Sequence, residues 1–221
     1  MSVPLHLILA AAGSSNRFGS GDKLLADLNG APVLAHSLRR LYPAVTGKCV
    51  IAVPRGRKME FENALLPFIR DLDLIWCEGG SSRSISVKNA VAALGTDEGI
   101  VAVHDAARPL ADAELLKKLY AAALKCAGVV PAKPVTDTLW KNEGDFLSDR
   151  VEREGLWAVE TPQLFKLESW KRAVAEFPDA DFTDDAGLLR HAGFQVALVT
   201  NPLPNIKLTT QADLMILRAL M

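Results

Sequence analysis

Apolar runs, several of them rich in β-branched residues, recur along the chain at 5–10 (LHLILA), 49–53 (CVIAV), 72–77 (LDLIWC), 99–103 (GIVAV), 127–131 (AGVVP) and 195–199 (QVALV). Between and after them lie stretches with helical periodicity, at about 32–42, 57–68, 84–94, 112–125, 167–176, 184–191 and 210–220. A strand that is apolar at every position is buried on both faces. Such strands alternating with helices build a parallel sheet covered on either side. The pattern predicts an α/β fold, a doubly wound three-layer sandwich with a mostly parallel sheet.

The alternation breaks once. From Lys133 to Glu160 no helical face can be traced, and the turn-like Asn142-Glu143-Gly144-Asp145 separates two short alternating pieces. This stretch predicts a projecting β-arm at about 133–160. Leu139, Trp140 and Trp157 would be exposed on it, a poor surface for a monomer, so the arm is expected to pack on a partner. The 221 residues are otherwise read as a single domain over 1–221.

Composition excludes more than it identifies. Apolar residues make up 49% and charged residues 23%, as in globular chains. Lys plus Arg number 25 and Asp plus Glu 26, a net charge of −1. Nothing global would attract nucleic acid or an acidic membrane, and no apolar run is long enough to span a bilayer. Cys49, Cys77 and Cys126 are odd in number and form no C-x-x-C pair, and the four histidines show no ligand spacing. A disulfide scaffold or zinc ribbon is not expected, and a cytoplasmic location is. The apolar start lacks a basic leader segment and reads as the first strand.

Chemistry enters at the loop after that strand, Ala11-Ala12-Gly13-Ser14-Ser15-Asn16-Arg17-Phe18-Gly19-Ser20-Gly21-Asp22-Lys23. Ligands of open α/β sheets bind beyond the carboxyl ends of strands, and small residues there leave backbone N–H groups free for phosphates. G-x-G-x-x-G fails because Ser15 and Phe18 stand where glycines belong. Walker A fails because Leu24 follows Lys23. Dinucleotide redox chemistry and P-loop hydrolysis are thereby disfavoured. A nucleotide loop of another kind, or a plain surface turn with two solvated cations, remains.

A-A-G-x-x-x-R-F-G followed by lysine resembles the nucleotidyltransferases that activate sugar and polyol phosphates. Val103-His104-Asp105-Ala106-Ala107-Arg108-Pro109 resembles the signature of the 2-C-methyl-D-erythritol 4-phosphate cytidylyltransferase family. Six further segments agree in the same order: Gly79 to Val87, Pro134 to Thr138, Arg153 to Trp157, Thr161-Pro162-Gln163, Thr183 to Ala186, and Asn205 to Thr209. The resemblance runs from residue 7 to about 213. The chain departs from it in having Asp22-Lys23-Leu24 where the family usually has Pro-Lys-Gln, and in carrying an acid, Glu160, beside an anion site.

The resemblance implies a nucleotidyltransferase fold and transfer of a cytidylyl group from CTP to 2-C-methyl-D-erythritol 4-phosphate, with release of pyrophosphate, in the non-mevalonate isoprenoid pathway. It implies Arg17, Lys23, Arg153 and Lys207 as catalytic cations. Ala11, Ala12, Gly13, Gly80, Ser81 and Ser86 would bind CTP, with Ser86 on the cytosine edge. Asp105, Arg108, Thr138 and Thr161 would bind the polyol phosphate. Mg2+ would be held mainly by the CTP phosphates, with Asp105 as the protein's candidate ligand. In the family the arm crosses to a second subunit, which implies a homodimer. Apart from the resemblance, Ser81 or Ser82 could simply cap a helix, and Asp105 could pair with Arg108. Two other functions compete: a cytidylyltransferase for another polyol phosphate such as ribitol 5-phosphate, and a non-catalytic CTP-binding module.

Overall fold

The computed structural model describes residues 3–15, 17–19 and 21–221. In chain order its elements are β1 (Leu5–Ala10), β2 (Asp27–Leu28), β3 (Ala31–Pro32), α1 (Val33–Leu41), β4 (Cys49–Val53), α2 (Lys58–Ile69), β5 (Leu74–Glu78), α3 (Arg83–Leu94), β6 (Ile100–Asp105) and α4 (Ala113–Ala123). These are followed by β7 (Gly128–Pro134), β8 (Leu139–Glu143), β9 (Phe146–Val151), β10 (Trp157–Val159), β11 (Gln163–Lys166), α5 (Leu167–Glu176), α6 (Asp185–His191), β12 (Val196–Thr200) and α7 (Gln211–Leu220).

The main sheet runs β10-β7-β11-β6-β1-β4-β5, with β12 parallel to β7 on its outer side. The pairs β1–β4, β1–β6 and β4–β5 are parallel. Alternation along each strand divides the core in two. Leu5, Leu7, Leu9, Ile51 and Val53 face one side, with α1, α2, α4 and α7. Ile8, Val50, Ala52, Val101 and Val103 face the other, with α3, α5 and α6. The central strands are largely apolar because each of their faces meets a helical layer, which is the mostly parallel α/β sandwich the pattern predicts.

The pattern of apolar runs did not disclose β11. Gln163–Lys166 inserts antiparallel between β6 and β7, pairing Gln163 with Val103 and Leu164 with Val129. At four residues, directly continuous with α5, it is too short to announce itself by periodicity. The arm is a hairpin of β8 and β9 with a bulge between Trp140 and Asn142. Gly144, at φ 59°, makes its tight turn, and Asn142 Nδ2 donates to the Gly144 carbonyl at 3.0 Å. Trp140, Phe146 and Leu147 are exposed, as is Trp157 at the arm's base, whereas Leu139 is half-buried.

The topology decides where a ligand can go. From β1 the sheet continues through β4 and β5 on one side and through β6 on the other. The connections leaving β1 and β6 therefore diverge at their carboxyl ends, where Ala10 lies opposite Asp105. Such a switch point opens a crevice between them.

Candidate active site

A cleft of about 400 Å³ occupies that crevice. Ala12, Gly13, Ser14, Lys23 and Leu24 line it from the loop after β1, and Gly80, Ser81, Ser82, Arg83 and Ser86 from the start of α3. Asp105, Ala107 and Lys207 close its far wall. The close approach of the two loops explains the small residues. A Cβ at Gly79 would collide with the Ala12 methyl, and one at Gly80 with Ile85. Ser82 caps α3, accepting from the Ile85 amide at 3.3 Å. Ser86 accepts from the Gly80 amide at 3.0 Å and donates to the Ser82 carbonyl at 2.8 Å, so it locks the turn at the rim of the cleft.

A second cavity of about 230 Å³ abuts the first and shares Arg83, Asp105 and Lys207 with it. Arg108, Val159, Glu160, Thr161, Gln163, Thr183 and Asp184 complete its lining. The wall between the cavities is thus an acid among cations. Asp105 accepts from Lys207 Nζ at 2.7 Å and from Arg83 Nε at 3.3 Å, while Arg108 Nε stands 4.0 Å away. Burial alone would raise the pKa of Asp105, but the three cations outweigh it and hold the carboxyl well below the usual carboxylate range. The Asp105–Arg108 pair read from sequence spacing is the loosest of the three contacts. Arg108 donates instead to the Asn205 carbonyl at 2.6 Å.

His104 and Thr161 fix the backbone of this wall. His104 Nε2 lies 3.0 Å from the Arg108 carbonyl, which can only accept, so Nε2 carries the proton. Nδ1 is then an acceptor, and Thr161 Oγ1 donates to it at 3.2 Å. The same hydroxyl oxygen accepts the Asp105 amide at 3.0 Å. Burial pushes the His104 imidazole down to about 4, so it is neutral at pH 7.

Lys23 is the cation on the opposite side. Partial burial, with Lys207 and Arg17 as like-charged neighbours, lowers its pKa. Lys23, Lys207 and Arg17 form a field that an anion would relieve. Arg83 Nη2 and Arg108 Nε are buried donors without a hydrogen-bond partner among the described residues, another mark of an anion site.

The structure brings most of the sequence-derived candidates together. Ala12, Gly13, Lys23, Gly80, Ser81, Ser86, Asp105 and Lys207 line the first cavity, and Arg108 and Thr161 the second. Ala11 is buried beneath the loop, and Arg17 is exposed at its edge. Thr138 and Arg153 line neither cavity. They sit exposed on the arm, where Arg153 donates to the Thr136 carbonyl. Sequence reasoning missed Arg83 and Asp185 and gave Glu160 no role. Arg83 bridges Asp105 and Asp185, the latter at 2.9 Å, and Asp185 also accepts from Trp170 Nε1 at 3.0 Å. Glu160 accepts from Asn201 and Asn205 at 2.8 and 3.1 Å and pairs with Lys133 at 3.2 Å, so it ties the arm's base to the segment carrying Lys207. One signal did point to Arg83: a cation at a helix N-terminus opposes the helix dipole unless an acid holds it there.

As to metal, no group of three His, Cys, Asp or Glu among the described residues could cage an ion. Asp105 is the carboxylate that lines the larger cavity, and both of its oxygens already accept from Arg83 and Lys207, so these residues would suit a magnesium ion only if a nucleotide's own phosphates carried it. Among the described residues no helix is long and apolar enough to cross a membrane.

Comparison with known proteins adds the family. A family model described as 2-C-methyl-D-erythritol 4-phosphate cytidylyltransferase matches residues 5–221. A protein of that name from Bacillus velezensis is 36% identical, with 97% of this chain and 94% of that protein aligned. Another from Deinococcus radiodurans is 37% identical, with 96% and 88% aligned. Among solved structures, that of the Thermus thermophilus protein of the same name superposes with a TM-score of 0.80 at 30% identity, covering all of this chain and 98% of the other.

Proposed function

The chain belongs to the 2-C-methyl-D-erythritol 4-phosphate cytidylyltransferase family and transfers a cytidylyl group from CTP to 2-C-methyl-D-erythritol 4-phosphate in isoprenoid synthesis; we propose that it does so across the wall formed by Arg83, Asp105 and Lys207. The observation that carries this assignment of roles is the pair of abutting cavities sharing those three residues. CTP occupies the larger, with its base against Gly80, Ser81 and Ser86 and its phosphates along Ala11 to Gly13, Arg17 and Lys23. The polyol phosphate occupies the smaller, against Asp105, Arg108 and Thr161.

The polyol's phosphate oxygen attacks the α-phosphorus. A new P–O bond forms as the bond to the β-phosphate oxygen breaks, and pyrophosphate leaves with the electron pair. A phosphate monoester, with a second pKa of about 6, is already anionic at pH 7, so no general base is required. The protein's task is to hold two anions together and to meet the charge that develops. Lys207 turns from Asp105 to the attacking phosphate, and Lys23 and Arg17 serve the triphosphate. With Asp105 as the protein's candidate ligand, a magnesium ion held mainly by the CTP phosphates would lower the charge that the nucleophile meets.

Thr138 and Arg153 reach the polyol phosphate of a second subunit, and the working unit is a homodimer. Their absence from this chain's own cavities supports that reading, as do the exposed Trp140, Phe146 and Leu147 of the arm and Trp157 at its base. The free cysteines agree with work in a reducing cytoplasm. The test of the reading is pyrophosphate release from CTP and Mg2+ with methylerythritol phosphate or ribitol 5-phosphate. Release with the first alone is expected. Release with ribitol 5-phosphate alone would overturn the substrate, and CTP binding without release would overturn catalysis.

A further inference from the structure

The acid next to Lys23 needs a physical account. Asp22 stands beside a lysine read as serving the triphosphate, and a free carboxylate there would repel the same phosphates. Its side chain, however, is only 8% exposed and turned toward α2. One oxygen lies 2.6 Å from Arg57 Nη1. The other accepts the Leu24 amide at 2.9 Å and the Ser15 hydroxyl at 3.4 Å, and Ser15 Oγ in turn accepts the Lys23 amide at 3.2 Å. Asp22 therefore folds the end of the loop back onto its beginning. Arg57 is itself held in place. Glu60 takes its Nε and Nη2 at 2.7 and 2.6 Å, and the guanidinium lies 5.2 Å from the ring centroid of the buried Phe61.

We propose that Arg57 is a positioning residue for CTP: it neutralises Asp22 and draws it to the foot of α2, so that the Lys23 ammonium faces the cleft without Asp22 as an ion-pair partner. This rests on the reading of the 11–24 loop as the triphosphate loop. Arg57 lines neither of those two cavities; it borders an adjoining one with Gly13, Ser14 and Asp22, and its bond to the loop is the one to Asp22. Two effects follow from its removal: the loop loses its tether, and an unpaired negative charge is left beside the phosphates.

Arg57→Ala is expected to raise KM for CTP about tenfold, or ~1.4 kcal/mol, with kcat and the KM for the polyol phosphate changed less than about twofold. A loss of that size is in the range of one charge-assisted hydrogen bond. The decisive variant is Arg57→Ala with Asp22→Asn. The amide keeps an oxygen for the Leu24 and Ser15 bonds but carries no charge, so most of the lost CTP affinity should return. Arg57→Lys should rescue in part. A purely structural role for Arg57 would make the double variant no better than the single one, and that result would overturn the proposal, as would an unchanged KM for CTP in Arg57→Ala. Lys23→Ala, assayed in parallel, separates the two ideas. If its CTP affinity is normal, the loop reading itself fails. If Lys23→Ala is impaired and Arg57→Ala is not, only the positioning role fails.

Discussion

Thr161→Val is the most informative single substitution in the wall between the cavities. Valine nearly matches threonine in shape, so packing is preserved and only the hydroxyl is lost. Two buried groups lose their partner: the Asp105 amide, 3.0 Å away, and His104 Nδ1, 3.2 Å away, on an imidazole with no exposed surface. Among the described residues neither has another partner in place. His104 cannot escape by changing tautomer, because its Nε2 proton is committed to the Arg108 carbonyl. Each unsatisfied buried group costs about 1–3 kcal/mol, so a loss of about 3 kcal/mol is expected for the pair. For a chain of this length, that corresponds to a fall in Tm of roughly 6–12 °C.

Thr161→Ser retains the hydroxyl and loses one methyl, at a cost of about 1 kcal/mol. Urea unfolding of the three proteins, compared by midpoint and slope, measures the difference. The valine variant should also bind polyol phosphate more weakly, because the Asp105 backbone is no longer pinned. The result that would refute this reasoning is a valine variant as stable as the serine variant yet inactive. The hydroxyl would then act by donating directly to substrate, and the bond to His104 would be incidental.

Lys23→Ala and Lys207→Ala should each lower the rate of pyrophosphate release roughly 100- to 1,000-fold, and steady-state assays at saturating substrates would show it; a loss below tenfold would remove either from the catalytic group. Phe146→Glu on the exposed arm should shift the protein toward monomer in sedimentation velocity and raise KM for the polyol phosphate while CTP binding persists. An active monomer would exclude the contribution of Thr138 and Arg153 across subunits. Stability should also fall with acid. Burial lowers the pKa of both His6 and His104, the latter to about 4, so the folded state binds fewer protons than the unfolded chain. Their contribution is complete above the unfolded value of about 6.5 and is lost as pH falls toward the folded one, at up to ~1.4 kcal/mol per pH unit for each group. Urea titrations at pH 7 and pH 5 would detect this, and equal stabilities would contradict it.

The parts of the fold legible in the sequence are those that repeat. The central strands β1, β4 and β6 are buried on both faces, so each is a mostly apolar run that needs no partner to be recognised. The loops of the site are likewise local: Ala11 to Lys23 and Gly79 to Ser86 each follow directly from a strand, and His104 to Arg108 spans the end of one. Pairings at long range were hidden. Arg83 meets Asp105 22 residues away and Asp185 102 residues away, and Glu160 meets Asn205 across 45. Nothing in a local pattern says which acid a cation will find. β11 was missed for a related reason, since its place in the sheet comes from β6 and β7 rather than from its own four residues. Asp22 shows the converse. In sequence its nearest cation is Lys23, while in space the carboxylate belongs to Arg57.

That distinction between neighbours in sequence and neighbours in space also bears on catalysis. A site for two anions needs several cations close together, and without substrate those cations repel one another. Asp105 and Asp185 offset that repulsion: Arg83 spans both acids, and Lys207 rests on Asp105. The two attachments are unequal. Arg83 is fastened at both ends and its side chain is 22% exposed, whereas Lys207 has one acid and is 43% exposed. A phosphate arriving in the smaller cavity can draw the half-exposed Lys207 away because Lys207 exchanges one anion for another and the buried Asp105 keeps Arg83. Arg83 stays and keeps Asp105 from being left as a bare charge beside the incoming anion. On this account the wall is an exchangeable ion pair set on a permanent one. In the proposed mechanism Lys207 would be the member that moves to substrate, with Arg83 holding Asp105 in its place.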